Sequence, residues 1–252
     1  TPITCAPATP WSMPCAATAL LLGIAPATAS NHEEARPFGE AQLFFELNNT
    51  DGDLGIHAKI DGDPWKQLWI MTPDESVLLS VTARGNLRRQ GMTEIAFESA
   101  EPPFSELAPK DFLKRFPEGT YEVEAIMLDG GELESDVEIS HVLPAPPQFL
   151  GPAGPCSNPV AVTAPITIAW NPVTQSHPTI GRPGVAVEVE RYEVAFEVVG
   201  GDLKFFAELP PDVTSIDVPE LFTEEPGVIK FEVLVKAADG NRTAEERCLR
   251  VL

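Results

Sequence analysis

From residue 40 onward the chain is cut into short runs of alternating apolar and polar side chains, and nearly every run ends at Gly, Pro or an Asp-Gly pair. A period of two belongs to a strand with one buried face. Leu43, Phe45 and Leu47 alternate with Gln42, Phe44, Glu46 and Asn48. Leu54 to Ile60, Trp65 to Met71, Ser76 to Arg84 and Thr93 to Phe97 are further runs. Tyr121, Val123, Ala125 and Met127 alternate with Glu122 and Glu124, and Val137, Ile139 and His141 with Asp136, Glu138 and Ser140. One helix interrupts them, expected at Lys110 to Phe116 behind Pro109, with Leu107, Phe112, Leu113 and Phe116 apolar and Pro117 and Gly119 ending it. The fold expected is all-β: two tandem antiparallel β-sandwich, immunoglobulin-like domains, the first with one short helix.

A chain of 252 residues suits two domains of about 100–120 residues each. The proline-rich stretch Leu143-Pro144-Ala145-Pro146-Pro147 reads as a stiff joint, giving domains 31–143 and 144–252 in extended tandem. Residues 1–30 carry no charge and hold the apolar run Ala19 to Ala25, followed by small residues up to Ser30. This is the pattern of a secretory leader, although no Lys or Arg precedes the run, and the run is too short to span a bilayer. Removing the leader takes away Cys5 and Cys15. Cys156 and Cys248 remain, and an exported pair is expected as a disulfide.

The net charge of −21 repels nucleic acid and anionic membranes, so both are excluded as partners. Acids outnumber bases by 23 to 9 in the first domain and by 15 to 8 in the second. Divalent cations or basic surfaces are the natural counterparts of such a field.

In the second domain a Pro-Pro entry leads to Ile166-Thr167-Ile168-Ala169-Trp170-Asn171-Pro172-Val173, and then to Arg191-Tyr192-Glu193-Val194-Ala195-Phe196-Glu197-Val198. Ser215 to Leu221 and Ile229 to Ala237 follow at strand spacing, and Ala238 to Glu245 forms a turn into a last strand. In order and spacing this half resembles a fibronectin type III domain, which implies a core around Trp170, Tyr192, Phe196 and Phe231. Phe231 stands where that family commonly carries a corner tyrosine, and no Arg-Gly-Asp is present. The stretches Asn49 to Gly55, Ile60 to Trp65 and Phe116 to Tyr121 resemble the N-terminal region of an uncharacterised family of secreted bacterial proteins. That resemblance implies an exported, secreted or cell-surface protein and brings no assigned activity.

Chemistry-bearing candidates are few. Asn49, Asp51 and Asp53 alternate with Gly52 and Gly55, which admits two readings: tight-turn chemistry, or a Ca²⁺ site built from clustered oxygens. The spacing is not that of an EF-hand, because Leu54 and Ile60 fall where Gly and an acid are needed. Asp61 and Asp63 flank a second Asp-Gly, expected at the far end of a strand about 20 Å long. His32, His57, His141 and His177 lack metal-ligand spacing. Glu98, Glu101 and Glu106 read as a solvated loop or as part of a site. Trp65 and Trp69, four apart on one strand, could pack in the core or form a stacking platform for a sugar. Two Asn-x-Thr sequons occur, at Asn48 and Asn241.

No phosphate loop, nucleophile elbow or dinucleotide fingerprint occurs. The chain reads as a non-enzymatic extracellular or cell-surface binding or structural module, requiring no cofactor, with Ca²⁺ stabilisation as an option and a protein or glycan as partner. A carbohydrate-binding accessory module is the alternative, and a hydrolase with a carboxylate site comes third.

Overall fold

Strand β1, Glu40–Asn48, buries Leu43, Phe45 and Leu47 as its alternation requires. The computed structural model describes residues 34–252; the leader, Cys5, Cys15 and His32 lie outside the described residues. Asn48 ends β1 by accepting the Thr50 and Asp51 amides on its side-chain oxygen, and Gly52 takes φ +71° to close the turn. The chain then enters β2, Asp53–Met71, a strand of 19 residues. After it come β3 (Val77–Thr82), helix α1 (Leu87–Gln90), β4 (Met92–Glu98), helix α2 (Pro109–Leu113), β5 (Gly119–Met127) and β6 (Glu132–Ile139).

β2 builds both layers of this sandwich. Its residues 53–61 pair with β1 and β4, while residues 65–71 pair with β3 and β5, and β5 continues to β6. Register shifts between Asp61 and Trp65 and between Trp65 and Gln67 mark the bend. At its corner a Cβ on Gly62 would lie 3.0 Å from Phe38 and 3.1 Å from Leu133, so only glycine fits without displacing them. Strands that switch sheets need such bulges. The Asp61-Gly62-Asp63 stretch, expected as a turn between two strands, is therefore the corner of one.

The bend also moves the tryptophans apart. Trp65 is fully enclosed, but the extra residue beside it shifts the alternation, so Leu68 and Ile70 face inward and Trp69 outward. The two rings do not form a paired platform. Helix α2 begins with Pro109 in its first turn and lays Phe112 and Leu113 into the core, where Phe112 meets Phe45 edge-on at 6.3 Å. It is shorter than expected, and α1 was not anticipated; α1 buries no residue. The Tyr121 hydroxyl donates to the Pro117 carbonyl at 3.0 Å, pinning the entry to β5.

The C-terminal half contains β7 (Val160–Val162), β8 (Thr167–Ala169), β9 (Val189–Val198), β10 (Lys204–Leu209), β11 (Ser215–Asp217), β12 (Gly227–Ala237) and β13 (Arg242–Val251). β8 pairs with β11 in one layer, and the other runs β10-β9-β12-β13. β10 was not anticipated, although Phe205, Ala207 and Leu209 alternate in it. Trp170, Tyr192, Phe196 and Phe231 share one core, with Trp170 edge-on to Tyr192 at 5.3 Å. The Tyr192 hydroxyl accepts the Val173 amide at 3.0 Å. Cys156 and Cys248 are bonded, with Cα atoms 4.7 Å apart across a sequence separation of 92.

More than the proline-rich stretch joins the halves. β1 runs parallel to β13, with Glu46, Leu47 and Asn48 opposite Arg242, Thr243 and Ala244, so one sheet passes from one sandwich into the other. Asn241, just before β13, is buried at 2% exposure. Its oxygen accepts the Phe45 amide, and its nitrogen donates to the carbonyls of Ser140 and Val142. The Thr243 hydroxyl donates to the Pro144 carbonyl at 2.7 Å. Leu143 is fully enclosed in the N-terminal core. Among the described residues strand pairing is antiparallel except at this junction, at the β7–β13 pair and at one isolated bridge from Arg36 to Leu133.

Candidate functional site

Asn49, Asp51 and Asp53, which alternate in the sequence, land in three different surroundings. Asn49 spends its side chain on the junction: its nitrogen donates to Glu245 at 2.6 Å, and its oxygen lies 3.1 Å from the His177 ring nitrogen. Asp51 is exposed and accepts from the Asn48 amide nitrogen at 3.3 Å. Asp53 opens β2 with one carboxylate oxygen enclosed and without a hydrogen-bond donor. Burial, Asp51 and Glu98 together raise its pKa. The Asn49 side chain is thus committed to Glu245 and His177, while Asp53 feels the charge of Glu98 on β4.

There it approaches residues that the sequence left dispersed. His57 on β2 lies opposite Glu98 on β4, and Glu101 follows in the loop. The His57 Nε2 is 3.3 Å from the Glu101 carboxylate, and each of the three residues offers a ligand atom within 4.8 Å of the others. Glu101 lies directly over Gly55, where a Cβ would come within 2.1 Å of its oxygen. Glycine at this point gives the carboxylate its place against the strand. Burial first, then Glu98 and Asp53, push Glu101 up to about 7. Burial lowers the His57 pKa, opposed by Glu46 and Glu98. His57 stacks on Phe44 at 5.2 Å, and the Arg242 guanidinium sits 4.1 Å over the Phe44 ring.

A His–Glu–Glu set offers nitrogen and oxygen ligands to a divalent ion, a donor set that suits Zn²⁺ or Mn²⁺ more than Ca²⁺. It serves equally as an internal pair in which a neutral imidazole and a protonated carboxyl share a proton. Of the other candidates, Glu106 does not join this cluster. His141 bonds the Phe116 carbonyl, and His177 caps the Thr179 and Ile180 amides. The Asn241 sequon is buried in the junction. The His57–Glu101 contact was missed because Glu101 reaches it from a loop 44 positions away.

A second surface is the outward face of β3, residues 65–71 of β2, β5 and β6. Trp69 sits there between Ser80 and Glu124, and Glu124 lies opposite Glu134. Met71, Val77 and Ile126 flank the ring, and the twist of the sheet leaves a groove of about 570 Å³ over it. Burial and then Glu134, Glu122 and Glu132 raise the Glu124 pKa.

No family model and no curated protein matches the chain. Among solved structures it is similar to the human OSCAR ligand-binding domain at 13% identity, covering 85% of this chain and 100% of that one, with a TM-score of 0.28. It is also similar to the FN1-FN3 domains of chicken CNTN1, at 11% identity over 86% of this chain and 69% of that one, with a TM-score of 0.33. A tetra-tandem repeat from the extending region of a large adhesion protein gives 10% identity, coverage of 84% and 50%, and a TM-score of 0.28. Likeness at this level assigns neither a family nor a function. The immunoglobulin-like sandwich rests on the strand order itself.

Proposed function

We propose that the chain is a non-enzymatic, extracellular binding or structural module whose two sandwiches act as one stiff body. The observation that carries this reading is the junction: parallel pairing of β1 with β13, reinforced by the buried Asn241 side chain and the Thr243 hydroxyl. A body built this way holds two faces at a fixed mutual angle, which suits presentation or spacing. The Cys156–Cys248 bond supports an oxidising compartment. Among the described residues no helix is long and apolar enough to cross a membrane. Residual dipolar couplings measured on the intact chain test the reading. A single alignment tensor should fit both halves, and Asn241→Ala should split it in two; two tensors in the wild type would refute the stiff body.

A second reading adds Ca²⁺ at the Asp51-Gly52-Asp53 turn, favoured by the enclosed, donor-free Asp53 oxygen. Extracellular Ca²⁺ modules bind at about 0.1–1 mM. Millimolar Ca²⁺ should then raise the melting temperature of the wild type and leave Asp51→Asn/Asp53→Asn unchanged. Equal wild-type melts with and without Ca²⁺ reduce the stretch to a turn.

A further inference from the structure

The two sandwiches carry comparable four-stranded layers, β3–β2–β5–β6 and β10–β9–β12–β13, each with one face turned to solvent. Their charges are wired differently. On the second face nearly every carboxylate meets a cation. Lys230 lies 3.0 Å from Glu197 and 2.8 Å from Glu246, Arg191 lies 2.7 Å from Glu193, and Lys236 lies 2.9 Å from Glu190. On the first face Glu122, Glu124, Glu132, Glu134, Asp136 and Glu138 project from two adjacent strands. Among the described residues none of the six has an ion-pair partner. The register sets Glu124 directly opposite Glu134 and Glu122 opposite Asp136. Like charges facing each other across a ladder are destabilising. The second layer also sets Glu232 opposite Glu246, but there Lys230 lies 2.8 Å from Glu246, whereas the six acids of the first face meet no cation.

Beside these acids lies the half-buried ring of Trp69, with Met71, Val77 and Ile126 along its edge. A groove that offers an aromatic ring and adjoining carboxylates matches one ligand chemistry: a cation on an apolar stem. The guanidinium of Arg or the ammonium of Lys would rest on the indole while its charge pairs with Glu124 and Glu134. The same contact would relieve the cross-strand repulsion, which no purely apolar occupant does.

We propose that the outward face of β3, β2, β5 and β6 docks an Arg- or Lys-bearing segment of a protein partner, with Trp69 as platform and Glu124 and Glu134 as the anionic wall. This names the partner class for the binding module described above and rests on that reading. The second face, where Glu190, Glu193, Glu197 and Glu246 already hold cations and Glu232, opposite Glu246, does not, is the built-in control.

Tetra-arginine amide is the probe, titrated calorimetrically into the intact chain at low and at physiological salt. Saturable binding is expected, weakened about tenfold in Glu124→Gln/Glu134→Gln by the loss of two charge-assisted contacts. Trp69→Leu, which keeps an apolar surface and removes the π face, should weaken it by about three- to tenfold. Glu224→Gln/Glu225→Gln removes the same charge from an exposed turn of the other half and should change affinity by less than about twofold. Melting temperatures check folding: Glu124→Gln/Glu134→Gln should melt at or above wild type, because a repulsion is lost. No saturable binding, or equal weakening by the two double variants, would overturn the proposal, since the latter would mean net charge alone attracts the peptide. Neither result touches the alignment tensors, so the stiff-body reading stands or falls separately.

Discussion

The layers of the N-terminal sandwich share one continuous strand, whereas those of the C-terminal sandwich are bridged by the irregular segment 148–154, whose backbone bonds first to β8 and its end and then to β13. β2 crosses from layer to layer by bending at Gly62, and its two ends each hold ladders on both sides. In the C-terminal half, β8 and β11 are three residues each and form a separate two-stranded sheet. So short a ladder contributes few backbone hydrogen bonds, and the layer depends on Trp170 and its neighbours and on the chain constraint of the disulfide. The difference teaches where each half is vulnerable: the first at its corner, the second at its core and cross-link.

The largest test removes the cross-link. On chain-entropy grounds a loop of this length contributes about 4–5 kcal/mol, so Cys156→Ser/Cys248→Ser should lose about that much in denaturant titration. Amide exchange should rise first in β7 and β8 and last in β5. Trp170→Ala follows, at about 3–5 kcal/mol, since the ring is fully enclosed. A loss under about 1 kcal/mol would mean this layer is held some other way. Tyr121→Phe deletes one hydroxyl bond to Pro117 and should cost about 1 kcal/mol, read as a shifted urea midpoint with unchanged slope.

The smallest effect is the pH dependence that Glu101 gives the first half. Glu101 binds its proton more tightly folded than unfolded, because burial and the neighbouring Glu98 and Asp53 push it up to about 7. Its contribution is complete below the unfolded value and is lost as pH rises through about 7. Glu101→Gln should therefore melt about 2–4 °C above wild type at pH 8 and level with it at pH 4. A constant offset at both values would assign the effect to packing instead of titration.

Much of this architecture was legible in side-chain alternation. β1, β5, β6, β9 and β12 bury the residues their period selects, and Pro109 opens a helix whose Phe112 and Leu113 reach the core. Alternation fails where geometry departs from it. Asp-Gly serves a turn at Asp51-Gly52 and a mid-strand corner at Asp61-Gly62, and only contacts with Phe38 and Leu133 distinguish the two. A single inserted residue sends Trp65 inward and Trp69 outward, a phase change that spacing cannot reveal. The outward acids of β5 and β6 were visible as a solvated pattern, but their lack of cations emerges only when the other face is seen to have them. The His57 cluster depends on a loop returning over Gly55.

The pairing of β1 with β13 also has a temporal side. Glu46 and Arg242 come together across nearly the whole described chain, and Asn49 reaches Glu245 over a separation of 196. Contacts that distant carry a large loop-closure cost and form late. While a ribosome is still making the intervening residues, β1 has an open edge and Phe45 has an amide with no Asn241 to receive it. Pairing of that edge thus waits on synthesis of the later half, although the core beneath it is already present.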